Sequence, residues 1–379
     1  MHWIALKMLT GNPGKFTSIV MGIAFSSLLI AQQSSIFCGL MRLTASQIRD
    51  IRGADIWVMD PNVQFVDDIK PMSENELYRV RGVPGVLWAE RLYKGLTRAK
   101  LPDGSFQQII LLGLDDDSLV GAPQEIIVGQ LSDLRQPDAI FIDERGAEQL
   151  WPEDPFRLGR TFEMNERRAK VVGVCKASPT FQTFPVVYTR FSQATQFVPR
   201  ERKVLAFVLA QGVPELSPED VCRRIERQCG LQALTRDQFA WRTIYYYLDK
   251  TGIPVNFGIT VLLGFIVGTA ISGQTFYLFT IENLRQFGTL KALGTSDTSI
   301  LGMVLLQSTV AGVIGYGLGV GAAGVFGELA KNTQRLAFFM PWQVLVGTGL
   351  AVVLIVVLSS VLSVRRVLLL EPAVVFKGE

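Results

Sequence analysis

The chain has 379 residues, of which 49% are apolar and 19% charged, and its mean hydropathy is +0.29, a balance that sets it apart from ordinary soluble enzymes and inside the membrane class. A net charge of +3 carries no polyanion-binding signal, so no nucleic-acid partner is expected. The single histidine, His2, excludes a His-containing catalytic triad in the folded body and a His-rich metal site.

At the N-terminal end, Trp3 and Lys7 suit either a short interfacial helix or an ordinary start of the first span. Gly11-Asn-Pro-Gly14-Lys15 has a superficial likeness to a phosphate-binding loop. It fails on spacing, because only two residues separate the glycines and Phe16 replaces the Ser/Thr that would hold magnesium. Four uncharged stretches follow along the chain, Phe16–Met41, Thr251–Ile281, Thr298–Gly327 and Leu336–Val364, of 26, 31, 30 and 29 residues. About 20 helical residues cross a hydrocarbon core, so each can span a bilayer. The first is far longer than a signal-peptide apolar region and reads as an uncleaved helix.

Between Arg42 and Lys250 lie 28 of the 37 Lys/Arg and 29 of the 34 Asp/Glu, so this block reads as a water-exposed domain inserted between the first two spans. Its pattern is α+β. Ala54–Asp60 reads as a strand, and Ser73 with Glu76 has capping-box spacing for a helix to about Arg81, stopped by Gly82-Val-Pro-Gly85. Val86–Lys100 and Ser105–Leu114 flank Leu101-Pro-Asp-Gly104 as a hairpin. The run Asp115-Asp-Asp117 reads as a solvated loop rather than a metal cluster. Strands are expected at Ala139–Asp143, Lys170–Lys176, Val186–Tyr188 and Val204–Ala210, with a short helix at Glu144–Leu150. Ser217-Pro-Glu-Asp220 starts a helix to about Gln228, ended by Gly230. Cys222 and Cys229 on that helix would be about 10.5 Å apart along its axis, too far for a disulfide. The disulfide state of Cys175, Cys222 and Cys229 stays open at this point.

The resulting division is residues 1–41 for the interfacial segment and first span, 42–250 for the domain, 251–281 for span two, 282–297 for a connecting segment, 298–327 and 336–364 for spans three and four, and 365–379 for a tail. Lys7, Lys15, Arg285, Lys291, Arg365, Arg366 and Lys377 outnumber Lys331 and Arg335 of the other side, which predicts both termini in the cytoplasm and the domain outside it. No ionisable residue interrupts the spans, unlike a pathway for ions; Gln32, Gln33, Gln274 and Gln307 suit helix–helix hydrogen bonds. Small-xxx-small pairs at Gly315/Gly319 and Gly317/Gly321 predict close packing of the third span, within one subunit or between two.

The segment Ile281-Glu-Asn-Leu-Arg-Gln-Phe-Gly-Thr-Leu-Lys-Ala-Leu-Gly294 resembles the signature of FtsX-type ABC permeases, Glu-Arg-x-x-Glu-Ile-Gly-x-x-Arg-Ala-x-Gly-Ala. Glu282, Gly288, Ala292 and Gly294 match, Lys291 keeps a charge, and Asn283 and Gln286 depart from it. The tail Leu370-Glu-Pro-Ala-Val-Val-Phe-Lys377 is similar to the Pro-containing end of that family. Ala54–Asp60, Gly82–Gly85 with Leu92-Tyr93, Asp138–Asp143, Val171–Val174 and Phe184 resemble the outer domains of MacB-type, and most narrowly DevC-type, permeases. The resemblance implies a non-catalytic inner-membrane permease subunit without cofactor. A second copy of the chain, a separate cytoplasmic ABC ATPase and, in tripartite efflux, a periplasmic adaptor and outer-membrane channel would be its partners. It implies that Glu282, Arg285, Gly288, Lys291, Ala292 and Gly294 form the ATPase-coupling segment. From the residues themselves, helix formers are expected to continue span two unbroken into Glu282–Leu290, and Asp297 is the expected cap of span three. Alternatives are removal of a lipophilic molecule (haem, glycolipid or lipoprotein) from the outer leaflet, and a membrane sensor.

Overall fold

The computed structural model describes residues 2–199, 204–333 and 336–368. Arg335 and the tail Leu370–Lys377 lie outside the described residues, as do the side chains of Lys331, Arg365 and Arg366. The chain divides into two compact units, residues 1–40 with 252–379, and residues 41–251.

In the first unit α1 (His2–Thr10) is separated by Gly11-Asn12 from α2 (Pro13–Thr44). Pro13 opens α2, where a missing N–H leaves no intrahelical bond unmade. The helix is apolar nearly all round, as a membrane span must be.

The second unit begins with α3 (Ser46–Asp50) and β1 (Ile56–Met59), whose four residues are all buried. Next comes α4 (Asn75–Arg81). It starts two residues after Ser73, whose Oγ accepts from Asn75 N at 3.3 Å while Glu76 pairs with Arg79, so the expected capping box is replaced by an i,i+3 ion pair. The hairpin β2 (Val86–Lys100) and β3 (Phe106–Leu114) turns through Leu101–Ser105, with Gly104 at φ +86°. Then follow β4 (Glu125–Val128), a 3-10 turn at Leu131–Arg135, β5 (Ala139–Asp143), α5 (Glu144–Leu150), β6 (Thr161–Met164), β7 (Arg167–Lys176), β8 (Val186–Arg190), α6 (Phe191–Ala194) and β9 (Phe207–Gly212). The unit closes with α7 (Pro218–Cys229), β10 (Gln232–Thr235) and α8 (Arg236–Lys250).

The strands run β10-β1-β9-β2-β3-β8-β5-β7-β4, and β6 pairs with both β2 and β7. That last pairing closes β2-β3-β8-β5-β7-β6 into a ring. Pairs β3–β8 and β5–β7 are parallel and the others antiparallel, so the domain is mixed α+β. Closure leaves few strand edges open to another chain. β2 links the parts: its first half pairs with β9 and its second with β3. One core runs through β1, β2, β5 and β7 to α7, and Trp57 packs edge-on to Phe207 at 5.3 Å. Each such side chain contributes about 1.5–3 kcal/mol by leaving water. α7 is built as its sequence dictates, with Ser217 Oγ accepting Asp220 N at 3.2 Å and Gly230 ending the helix at φ +67°. All four cysteines are free; Cys175, Cys222 and Cys229 are buried, and burial pushes each of these three thiols up, Cys222 to about 12.

The chain returns to the first unit in α9 (Ile253–Glu282), α10 (Leu284–Ala292), α11 (Asp297–Thr333) and α12 (Trp342–Leu368). Four helices, α2, α9, α11 and α12, are long and apolar enough to cross a membrane, and the domain is inserted between the first two. Ile19, Val20 and Ile23 of α2 meet Phe276 of α9, Ala311 of α11 and Val352 and Val356 of α12 in a shared apolar centre.

Candidate functional site

The predicted coupling segment folds as a capped hairpin packed on α11, not as a continuation of α9. Asn283, at φ −94° and ψ 10°, ends α9, and its side-chain amide donates to Phe279 O at 2.7 Å. This corrects the expected unbroken helix to Leu290: Asn in place of the family's Arg supplies a short amide that bonds back to the preceding turn and competes with helix continuation. α10 then buries Phe287 and Gly288, with Phe287 against Ile300 and Val304 of α11, joined by Met8 of α1. Glu282 forms an ion pair with Lys15 at the start of α2.

At the other end of α10 the chain makes a Schellman turn. Thr295 N donates to Leu290 O at 3.1 Å and Gly294 N to Lys291 O at 3.0 Å, with Gly294 at φ +90°. A side chain at Gly294 is strained by that backbone, and proline would also remove the donor. Ser296, not Asp297, caps α11: its carbonyl accepts from Ser299 and Ile300 and its Oγ from Ser299 N at 3.4 Å. Asp297 is free of that task and pairs with Lys291 at 3.0 Å.

The predicted coupling residues therefore divide. Glu282 and Lys291 hold ion pairs and Gly288 is buried, whereas Arg285, Ala292 and Gly294 are exposed. Leu293, which the signature leaves open, is 79% exposed beside them.

The span-three glycines divide as well. A Cβ added at Gly315 would stand 2.8 Å from Ile23 Cβ, and one at Gly319 2.6 Å from Ser27 Cβ, so both lie against α2. Gly317 and Gly321 have nothing within 4 Å. Hydrogen bonds also tie the helices: Ser360 Oγ donates to Ser308 Oγ at 2.6 Å, Tyr316 OH to Leu345 O at 3.1 Å, and Gln307 Nε2 to Ala5 O at 2.7 Å, whereas Gln274 is exposed.

In the inserted domain the acidic run is tied down by protein groups. Arg91 reaches Asp115 and Asp116, each at 3.1 Å, and lies 4.8 Å from the centre of the Phe191 ring. Burial alone would raise Asp115, but the N–H groups of Ser118 and Asp117 and the Arg91 guanidinium outweigh it and hold the carboxyl below its usual range. Among the described residues no group of three His, Cys, Asp or Glu is placed to hold a metal ion.

With this geometry in view, comparison with known proteins defines a class. Residues 17–228, more than half the chain, match the MacB-like periplasmic core domain, and residues 256–372 match the FtsX-like permease C-terminal domain. The chain belongs to the MacB/FtsX-type ABC transporter permeases, multi-pass membrane subunits whose class implies a separate cytoplasmic ATPase and a membrane dimer. It is 26% identical over 343 residues to an uncharacterized ABC transporter permease of Mycobacterium tuberculosis, covering 89% of this chain and 88% of that one. A second, from Methanocaldococcus jannaschii, is 23% identical over 236 residues, covering 59% of this chain and 58% of its own. Among solved structures, the periplasmic region of MacB from Actinobacillus actinomycetemcomitans aligns with a TM-score of 0.37 at 12% identity, covering 54% of this chain and 96% of that one. The extracellular domain of the transporter YknZ from Gram-positive bacteria aligns with a TM-score of 0.36 at 16% identity, covering 48% and 98%.

Proposed function

We propose that this permease couples ATP hydrolysis in its partner to movement of the inserted domain, with α10 and its turn as the contact that receives the motion. The observation that carries this reading is the build of α10. One face is locked to α11 by Phe287 and the Lys291–Asp297 pair, and the other presents Arg285, Thr289, Ala292 and Leu293. A helix fixed on one side passes displacement to the helix it is fixed to. An exposed leucine beside an arginine is the kind of anchor that protein interfaces use. In this scheme both termini and α10 lie in the cytoplasm, two copies of the chain assemble, and the inserted domain works outside with an adaptor and outer-membrane channel in export. Uninterrupted apolar spans support a mechanical role over conduction through the bundle.

Arg285→Glu and Leu293→Ser, each in the full chain with its ATPase, are expected to weaken ATPase binding by about tenfold and lower permease-stimulated hydrolysis without affecting membrane insertion. Undiminished binding and transport in both variants removes α10 as the coupling element. Extraction of a lipophilic molecule is the second reading. It is favoured by a shallow, open apolar face on α9, lined by Phe265, Ile266, Ala270, Gly273, Gln274 and Tyr277.

A further inference from the structure

The last helix of the inserted domain carries an apolar seam that the fold does not use. α8 begins with a reciprocal capping box, Thr235 with Gln238, and buries Phe239, Ala240, Thr243, Ile244 and Tyr247. Phe239 packs 5.5 Å from Trp57, and Tyr247 packs between Phe65 and Phe181. The other side presents Trp241 at 64% exposure, Tyr245 at 66% and Leu248 at 37%. These positions, i, i+4 and i+7, form one stripe about 10 Å long. Two large aromatics left in water on a helix whose opposite face is fully packed need a cover.

What lies next in the chain indicates the cover. Only Thr251 and Gly252 separate α8 from α9, a 30-residue apolar span, so in the chain the seam lies just before a membrane-spanning helix. α3 packs on α8, and only Ala45 separates α3 from α2, another span. The α3–α8 pair is thus tethered to membrane helices at two points. Its side-chain chemistry is that of the headgroup layer: an indole and a phenol, each with an apolar body and a polar tip, followed by the Asp249–Lys250 ion pair. Arg49 on α3 is exposed as well, a cation suited to lipid phosphate.

We propose that the Trp241–Tyr245–Leu248 seam of α8 seats in the phospholipid headgroup layer on the side of the inserted domain, so that the domain is held to the lipid surface by a third point besides its two chain crossings. The inference needs only that α2 and α9 span the membrane and is independent of the role given to α10.

The test uses the full chain in nanodiscs. Tryptophan emission is recorded with ordinary and with brominated phospholipid, for the native chain and for Trp241→Phe, and the difference isolates Trp241 from the other five tryptophans. A seated indole is expected to lose emission to bromine placed near the headgroup. A second probe, Tyr245→Trp read against the native chain, repeats the measurement at the next position of the seam should Trp241→Phe fold poorly. Equal Trp241 emission in both lipids overturns the proposal. So does efficient disulfide formation between two chains carrying Tyr245→Cys, which assigns the seam to a second copy.

Discussion

Asp143 ends strand β5 with its carboxylate sealed from water, where Oδ1 accepts Val186 N at 2.6 Å. Burial raises it to about 6 from an ordinary value of 3.8, although the Val186 and Gly146 N–H groups and Arg145 pull the other way. The folded state therefore holds this proton more tightly than the unfolded chain. The cost of the charge is present in full above about pH 6 and is relieved as pH falls toward 3.8, so stability from this group rises on acidification through that window, by up to about 3 kcal/mol. Asp143→Asn is expected to remove that slope in thermal melts taken from pH 4 to 7, and an unchanged slope assigns it elsewhere. Lys94 is the converse case, a buried ammonium held by Asp67 and by Val66 O at 3.2 Å. Asp67→Ala leaves the cation unpaired and is expected to cost about 3 kcal/mol in denaturant unfolding, at the low end for a buried pair because Asp67 is partly exposed. Neither site was legible in the sequence. Val186 lies 43 residues from Asp143, and Lys94 sits in a strand whose alternation gives it no reason to be buried.

Elements were read best where their signals are local. The α7 cap, the β2–β3 turn and the bounds of β5 and α5 are set by residues within a few positions of one another. Four-residue strands β4, β6 and β10 escaped because pairing partners, not their own pattern, define them. The Thr235–Gln238 capping box did announce α8 and was the readable signal passed over. Glycine spacing predicted close packing of α11 but could not say which glycines touch a neighbour, since 315/319 and 317/321 have the same spacing. The structure separates them. Gly319→Leu is expected to lower the thermal midpoint, overpacking against Ser27 and Leu28 costing about 1–3 kcal/mol, whereas Gly317→Leu leaves it in place. Equal loss in both variants would mean that the two glycine pairs are both packed in the assembled permease.

At the scale of the whole molecule, hydropathy made the four spans and the inserted domain visible, because membrane crossing imposes a continuous apolar run that no local choice can hide. The closed ring of strands was not visible, since β6 pairs with β2 far away in the sequence, a contact that no periodicity records, although its two-residue turn into β7 is local. Sidedness is the remaining property of this scale. A cysteine at Asp103, exposed at the tip of the β2–β3 turn, is expected to react with an impermeant reagent added outside intact cells; reaction only after the cytoplasm is opened reverses the topology.

The three buried thiols of the inserted domain lower the background of that experiment and carry a wider meaning. With Cys175 inside the sheet and Cys222 and Cys229 on the buried face of α7, the domain has neither a cross-link to lose under reductant nor a ready thiolate for oxidants to attack. Its native state should be the same on either side of a membrane, whatever the local glutathione or oxygen level, and its maturation needs no disulfide-forming machinery.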